Sequence, residues 1–215
     1  EITTFDELQY FTGLTALNKE EFKNCTSLKR VIIPKNVTYF QGYVFQGCPI
    51  EYLKLPYGRI EFGSGINGGT QEHIVDVEEG WLTNFLLNGF VKNGAGSPFS
   101  NGGHLYVNGQ PLTNIIVDDS VTAIATYKFS YIIADSIVAN NVVSLGPTVF
   151  GNASCPYYEF GENLTTIESN AIAYQRQSFT LVCHATTPPS LATDLGKDAT
   201  IYVPDASVDA YKAAT

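Results

Sequence analysis

Apolar residues recur along this chain with a phase that no single helix or strand explains. Five ten-residue windows superimpose without gaps: GLTALNKEEF (Gly13 to Phe22), NVTYFQGYVF (Asn36 to Phe45), SVTAIATYKF (Ser120 to Phe129), NVVSLGPTVF (Asn141 to Phe150) and NLTTIESNAI (Asn163 to Ile172). Each has an aliphatic second residue, an apolar fifth and an apolar tenth. The starts are separated by 23, 84, 21 and 22 residues. Since 84 is four times 21, the long gap is expected to keep the period while its contents diverge. A second element precedes each window from the second onward: Leu28-x-x-Val31-x-Ile33, Ile50-x-x-Leu53-x-Leu55, Leu112-x-x-Ile115-x-Val117, Ile133-x-x-Ser136-x-Val138 and Cys155-x-x-Tyr158-x-Phe160. Alternation at its last positions is the period of a strand with one buried face.

One unit of about 22 residues cannot enclose a core, but stacked units can, because each covers its neighbour's apolar edge. The pattern therefore predicts a solenoid with a parallel ladder, strands about 4.8 Å apart. An ordinary β-sandwich would not produce a shared phase over the whole length. We expect one domain over 1–215: a lead-in over 1–13 with a helical turn from Asp6 to Phe11, repeats over 14–56, degenerate repeats over 57–111, repeats over 112–184 and a cap over 185–215. In the degenerate stretch, His73 to Val77 is expected to supply a strand. Asn108-Gly109 reads as a two-residue hairpin turn. In the cap, Ser190 to Leu195 reads as a helical turn and Ile201 to Val203 as a last strand. Asp205-Ala206-Ser207 offers an N-cap to a helix over Val208 to Ala214.

The units resemble the BspA-like class of leucine-rich repeats. The resemblance is carried by Ala16 to Pro34 and by Phe45-Gln46-Gly47-Cys48, which repeats the Phe-x-x-Cys of Phe22 to Cys25. Thr4 to Gly13, Leu105 to Gly109, Ala185 to Pro189 and Ile201 to Pro204 are similar to the same class, and the likeness is weakest from Tyr57 to Gly103. It implies a leucine-rich-repeat solenoid, assigned to the right-handed β/α superhelices but β-rich with few short helices. It also implies an exported or surface-attached bacterial protein that binds other proteins or host and matrix components. Separately, the residues show no catalytic or cofactor motif, so no enzymatic activity and no cofactor are expected.

Composition narrows the functional classes. Twelve basic residues against twenty-one acidic ones give a net charge of −9, which repels phosphate backbones and disfavours a nucleic-acid partner. No apolar run is long enough to span a bilayer. The sequence contains no methionine, so it reads as a processed or trimmed segment in which any signal peptide would lie upstream.

Candidate chemistry is sparse. Cys25 and Cys48 share a repeat position and should stack on adjacent coils; with Cys155 and Cys183 they are expected to be reduced, buried thiols, and no C-x-x-C pair exists. His73, His104 and His184 lack partners at metal-ligand spacing and read as surface or hairpin residues. The glycines from Gly63 to Gly69 raise a phosphate-loop question, but no Lys-Ser or Lys-Thr follows them. Glu78-Glu79 and Asp118-Asp119 read as solvated turns rather than calcium ligands. Of the sequons at Asn24, Asn36, Asn152 and Asn163, Asn36 and Asn163 open windows and are expected to cap turns through their side chains.

What remains is a surface. If Val31 and its equivalents face inward, the residues between them face outward as a stripe: Arg30 and Ile32, Tyr52 and Lys54, Asn114 and Ile116, Asp135 and Ile137, Tyr157 and Glu159, extended by Tyr202. Tyrosines, exposed aliphatics and mixed charges suit a protein-binding concave face, although sheet surfaces also carry such residues for cross-strand packing. A carbohydrate-binding module using exposed Tyr and the lone Trp81 is the rival function, and a structural spacer the third.

Overall fold

A computed structural model describes residues 1–58, 60–63, 72–92, 97–195 and 199–214. The chain winds as a β-solenoid in which each coil contributes one strand to a long-strand ladder and one two-residue strand to a second ladder. In the first ladder Thr4–Phe5, Arg30–Ile32, Tyr52–Lys54, His73–Val77 and Gly103–Val107 pair in parallel. Val31 lies beside Leu53, Leu53 beside Val75 and Val75 beside Leu105, all 0–1% exposed. The residues on either side of each point outward, as the two-residue period of a strand requires.

The second ladder follows from the apolar fifth position of the windows. Leu17, Phe40 and Phe62 fall in register on one set of short strands, and Ile124, Leu145, Ile167 and Leu191 on another. The tenth position builds a stack of rings inside the coil: Phe22 on Phe45 at 5.3 Å and Phe129 on Phe150 at 5.5 Å. Aromatic pairs at such spacings add to the gain from burial alone.

Turns obey the same phase. The eighth window position and the residue four further on take left-handed backbone in every window: Glu20 and Asn24, Tyr43 and Gly47, Tyr127 and Tyr131, Thr148 and Asn152, Asn170 and Tyr174. Only Gly47 does so without steric cost, and β-branched Thr148 at φ 54° is the most strained of the set. The asparagines that open windows do not cap their own turns. Asn36 donates to the Thr12 carbonyl, Asn141 to that of Asp119 at 2.7 Å, and Asn163 to the Asn141 side chain at 3.1 Å. They tie successive coils together.

The divergent stretch keeps the ladders but not the period. Phe40, Phe62, Val91 and Ile124 mark successive coils of the short-strand line, so three steps rather than four cover the 84-residue interval. The surplus goes into two insertions. One is an unanticipated helix, Trp81–Asn88, with Trp81, Phe85 and Leu86 buried. The other is the expected hairpin. Gly103–Val107 pairs antiparallel with Gln110–Pro111, and Asn108 at φ 51° and Gly109 at φ 76° supply the turn. His73–Val77 is a strand as expected, whereas Ser64 to Gly69 lie outside the described residues.

The hairpin divides the long-strand ladder. Gly103 and His104 pair onward with Ile132–Ile133, while Tyr106 and Val107 pair with the hairpin's return strand. A second sheet then starts at Asn114–Ile116 and continues through Ser136–Ala139, Tyr157–Phe160, Phe179–Cys183 and Ala199–Tyr202. Its register corrects the expected one by a residue in one coil. Ile115 lies beside Ile137, not Ser136, and Ile137 in turn beside Tyr158.

At the ends, Asp6–Tyr10 forms the expected turn as a 3-10 helix. Ser190–Leu191 is a short strand of the second ladder instead of a helical turn. The closing helix runs Val208–Ala213 without a side-chain N-cap, because the Ser207 hydroxyl donates instead to the Thr186 carbonyl at 2.8 Å.

Candidate functional site

The outward residues of the two sheets form the candidate surface, and its halves differ in chemistry. In the first half the outward side chains bind one another. Arg30 Nε donates to both Asp6 carboxylate oxygens, at 2.9 and 3.0 Å, and its guanidinium lies 4.0 Å over the Tyr52 ring. The Tyr52 hydroxyl donates to Asp76 at 2.5 Å, and the other Asp76 oxygen accepts the Gly109 N–H at 2.8 Å. Asp76 is only 2% exposed. Burial, reinforced by the Asp76 carboxylate, pushes the Tyr52 hydroxyl up to about 12. This chain of contacts holds the hairpin turn against the strand face, so Arg30 and Tyr52 are fixed within the fold. Ile32 and Lys54 lie side by side in the neighbouring outward row, half-buried.

In the second half the outward rows read Asn114, Ser136, Tyr157, Thr180, Thr200 and Ile116, Val138, Glu159, Val182, Tyr202. Ile116 is 72% exposed and Tyr202 59%. Tyr157 donates to Glu159 at 2.7 Å, and His184 Nε2 lies 2.8 Å from the other Glu159 oxygen. The hydrogen bonds from His184 and Tyr157 hold the Glu159 carboxyl below the usual range. Ile137 leaves the stripe: it is fully buried in the inward row, and Ser136 and Val138 hold the outward places. Asp135 is exposed, immediately before the strand. The repeat pattern puts Ser136 and Val138 inward, since aliphatics of both parities crowd Ile132 to Ala139 and hide the register; Thr180 lies on Phe179–Cys183, a strand outside the five repeat elements.

The other candidates resolve plainly. Trp81 is fully buried against Phe85 at 4.8 Å and offers no face for a sugar. His73 is buried, with Nε2 3.0 Å from the Pro98 carbonyl oxygen, rather than a surface residue. His104 pairs with Glu72 at 3.2 Å. Cys25 is exposed, against expectation, while Cys48, Cys155 and Cys183 are buried; all four are free thiols. No cluster of three or more metal-ligating side chains occurs among the described residues, and no helix among them is long and apolar enough to cross a membrane.

A parallel ladder of short coils with alternating inward aliphatics, stacked rings and repeated left-handed turns defines a leucine-rich-repeat solenoid. The sequence profile of the BspA type leucine rich repeat region matches residues 2–67 and 102–189 in six copies. The chain belongs to that family. No curated protein and no solved structure matched it.

Proposed function

We propose that this chain is a non-enzymatic protein-binding module displayed outside the cell, secreted or surface-attached, and that it engages its partner through the outward face of the ladder. The observation that carries the reading is the exposure of Ile116 and Tyr202 within the outward rows of the second sheet. Large apolar side chains held open on a rigid sheet resemble the centre of an interface more than a solvated surface. Arg30, Ile32, Tyr52 and Lys54 continue the face in the first sheet; Asn114, Tyr157 and Glu159 accompany Ile116 in the second.

The test is capture of surface proteins by the folded chain and by an Ile116→Lys/Tyr202→Ala variant. The variant should lose the protein retained by the parent while its unfolding temperature stays within about 2 °C, because neither side chain supports the core. Unchanged capture would move the interface off this half of the face. Tolerance of charge reversals along the whole face, with function intact, would make the solenoid a spacer.

A further inference from the structure

The first two coils carry cysteine at one and the same place. Cys25 and Cys48 each stand three residues past the ring that closes their window, Phe22 and Phe45. Later coils fill that place with Ile132 and Ala153, both buried. Cys48 is likewise buried, but Cys25 is exposed and adds little to the core. Backbone bonds fix the register just before the pair. Phe22 and Asn24 donate their N–H groups to the Val44 and Gln46 carbonyls at 3.0 and 2.7 Å, and the Phe22 and Phe45 rings stack at 5.3 Å. A Cβ on Gly47 would lie 3.5 Å from the Asn24 Cα, so the residues preceding the two cysteines are stacked as well. The Cys48 thiol donates to the Phe22 carbonyl at 2.8 Å, and the same oxygen accepts the Cys25 N–H at 3.2 Å. Cys48 Sγ therefore reaches out of its own coil to the turn that Cys25 closes. Burial comes first in pushing this thiol up to about 11, and the Cys25 backbone and thiol both act on it. Cys155 and Cys183 are engaged elsewhere, their thiols meeting the Tyr157 carbonyl and the Tyr211 hydroxyl, each at 3.2 Å.

We infer that Cys25 and Cys48 are a thiol–disulfide pair, which a low-molecular-weight disulfide such as oxidised glutathione converts to a bridge clamping the first coil onto the second. Adjacent strands of a parallel ladder lie about 4.8 Å apart, inside the Cα separation that a disulfide spans. The Cys25 thiolate, formed by loss of its proton to solvent, attacks one sulfur of the small disulfide. That S–S bond breaks, and one small thiolate leaves and takes up a proton. Cys48, its own proton lost, then attacks the Cys25 sulfur of the mixed disulfide, and the second small thiolate leaves and is protonated. The two protein thiols give up two electrons and two protons, and the small disulfide becomes two thiols. Exposure sets the order, since Cys25 is the one of the pair that solvent reaches. The bridge encloses one whole coil at the end of the array, where a coil has a neighbour on one side only and opens most readily. The inference is independent of the outward-face reading, because neither cysteine belongs to a ladder strand.

The experiment incubates the full chain with mixtures of reduced and oxidised glutathione in mildly alkaline buffer, alkylates the remaining thiols, and reads the intact mass and the tryptic peptides. The bridged product should be lighter than the reduced chain by two hydrogens, resist alkylation at Cys25, and link peptide 24–29 to peptide 36–54. Its unfolding temperature should stand about 5 °C or more above that of the reduced chain, and dithiothreitol should reverse the change. Cys48→Ala, which copies the alanine at Ala153 in a later coil, should stop at a glutathione adduct on Cys25. Cys25→Ser should form no bridge and leave Cys48 unmodified. A glutathione adduct that persists on Cys25 in the parent, two thiols that stay free, a bridge between Cys25 and a second chain, or a bridged chain that melts no higher than the reduced one would each overturn the assignment.

Discussion

Lys128 reaches across the break in the short-strand ladder to Gly89: its ammonium donates to the Gly89 carbonyl at 2.5 Å and also to that of Phe85, 4.1 Å from the centre of the Phe85 ring. The side chain is 1% exposed. It occupies the ninth window position, where Val44, Val149 and Ala171 stand in other coils, also buried. The cation serves the C-terminal end of the inserted helix, whose last carbonyls lack partners within the helix itself. The coil with the insertion is thereby fastened to the first regular coil beyond it.

Burial pushes the Lys128 ammonium down from 10.5 to about 7. Because the folded value is the lower one, the unfolded chain holds a proton between pH 7 and 10.5 that the folded chain lacks. Stability from this group therefore rises with pH across that window, by up to about 1.4 kcal/mol per pH unit, and the cost of the buried charge is felt in full below it. Urea unfolding at several pH values should show this rise in the parent and a flatter profile in Lys128→Met. Parallel profiles would mean that Lys128 does not titrate inside the fold.

Tyr52→Phe should destabilise the chain by about 1–3 kcal/mol, since it removes the O–H donor from a buried carboxylate. Asp76→Asn should cost a similar amount, and the double variant less than the two together, because both act on one bond. Thermal or urea unfolding of the cycle checks this. Strict additivity would show that the two residues are not coupled.

Thr148→Asn should stabilise the chain by about 0.5–1 kcal/mol. The β-branched side chain is held in the left-handed region, where asparagine sits at lower cost. Asn170 already stands at the same window position, and Asn24 and Asn152 take the left-handed backbone at the position four residues further on. A lower midpoint of unfolding in the variant would count against this account of the turns.

One thiol of the four should react quickly with a maleimide in the native state, and it should be Cys25, the exposed one. Burial pushes the Cys48 and Cys155 thiols up to about 11, which removes the reactive thiolate near neutrality. Cys25→Ser should abolish the fast phase, as read by mass spectrometry; a fast phase at Cys48 would show the first coils opening.

By itself the sequence determined the coil. A strand period of two and a shared phase near 22 residues fixed Val31, Leu53, Ile115 and Tyr158 as inward and Arg30, Tyr52 and Tyr157 as outward, because that alternation leaves one way to bury the aliphatic edge. Strong local turn chemistry likewise marked the hairpin at Asn108-Gly109. Only the tertiary structure decided between Ser136 and Ile137, since aliphatics of both parities surround them and the neighbouring strands at Asn114–Ile116 and Tyr157–Phe160 set the register. It also decided that the 84-residue gap holds three coil steps, that Trp81 is buried, and that Lys128 serves a helix end far away in sequence. Those outcomes depend on which coil lies above which, and spacing within a single coil carries no record of the one stacked upon it.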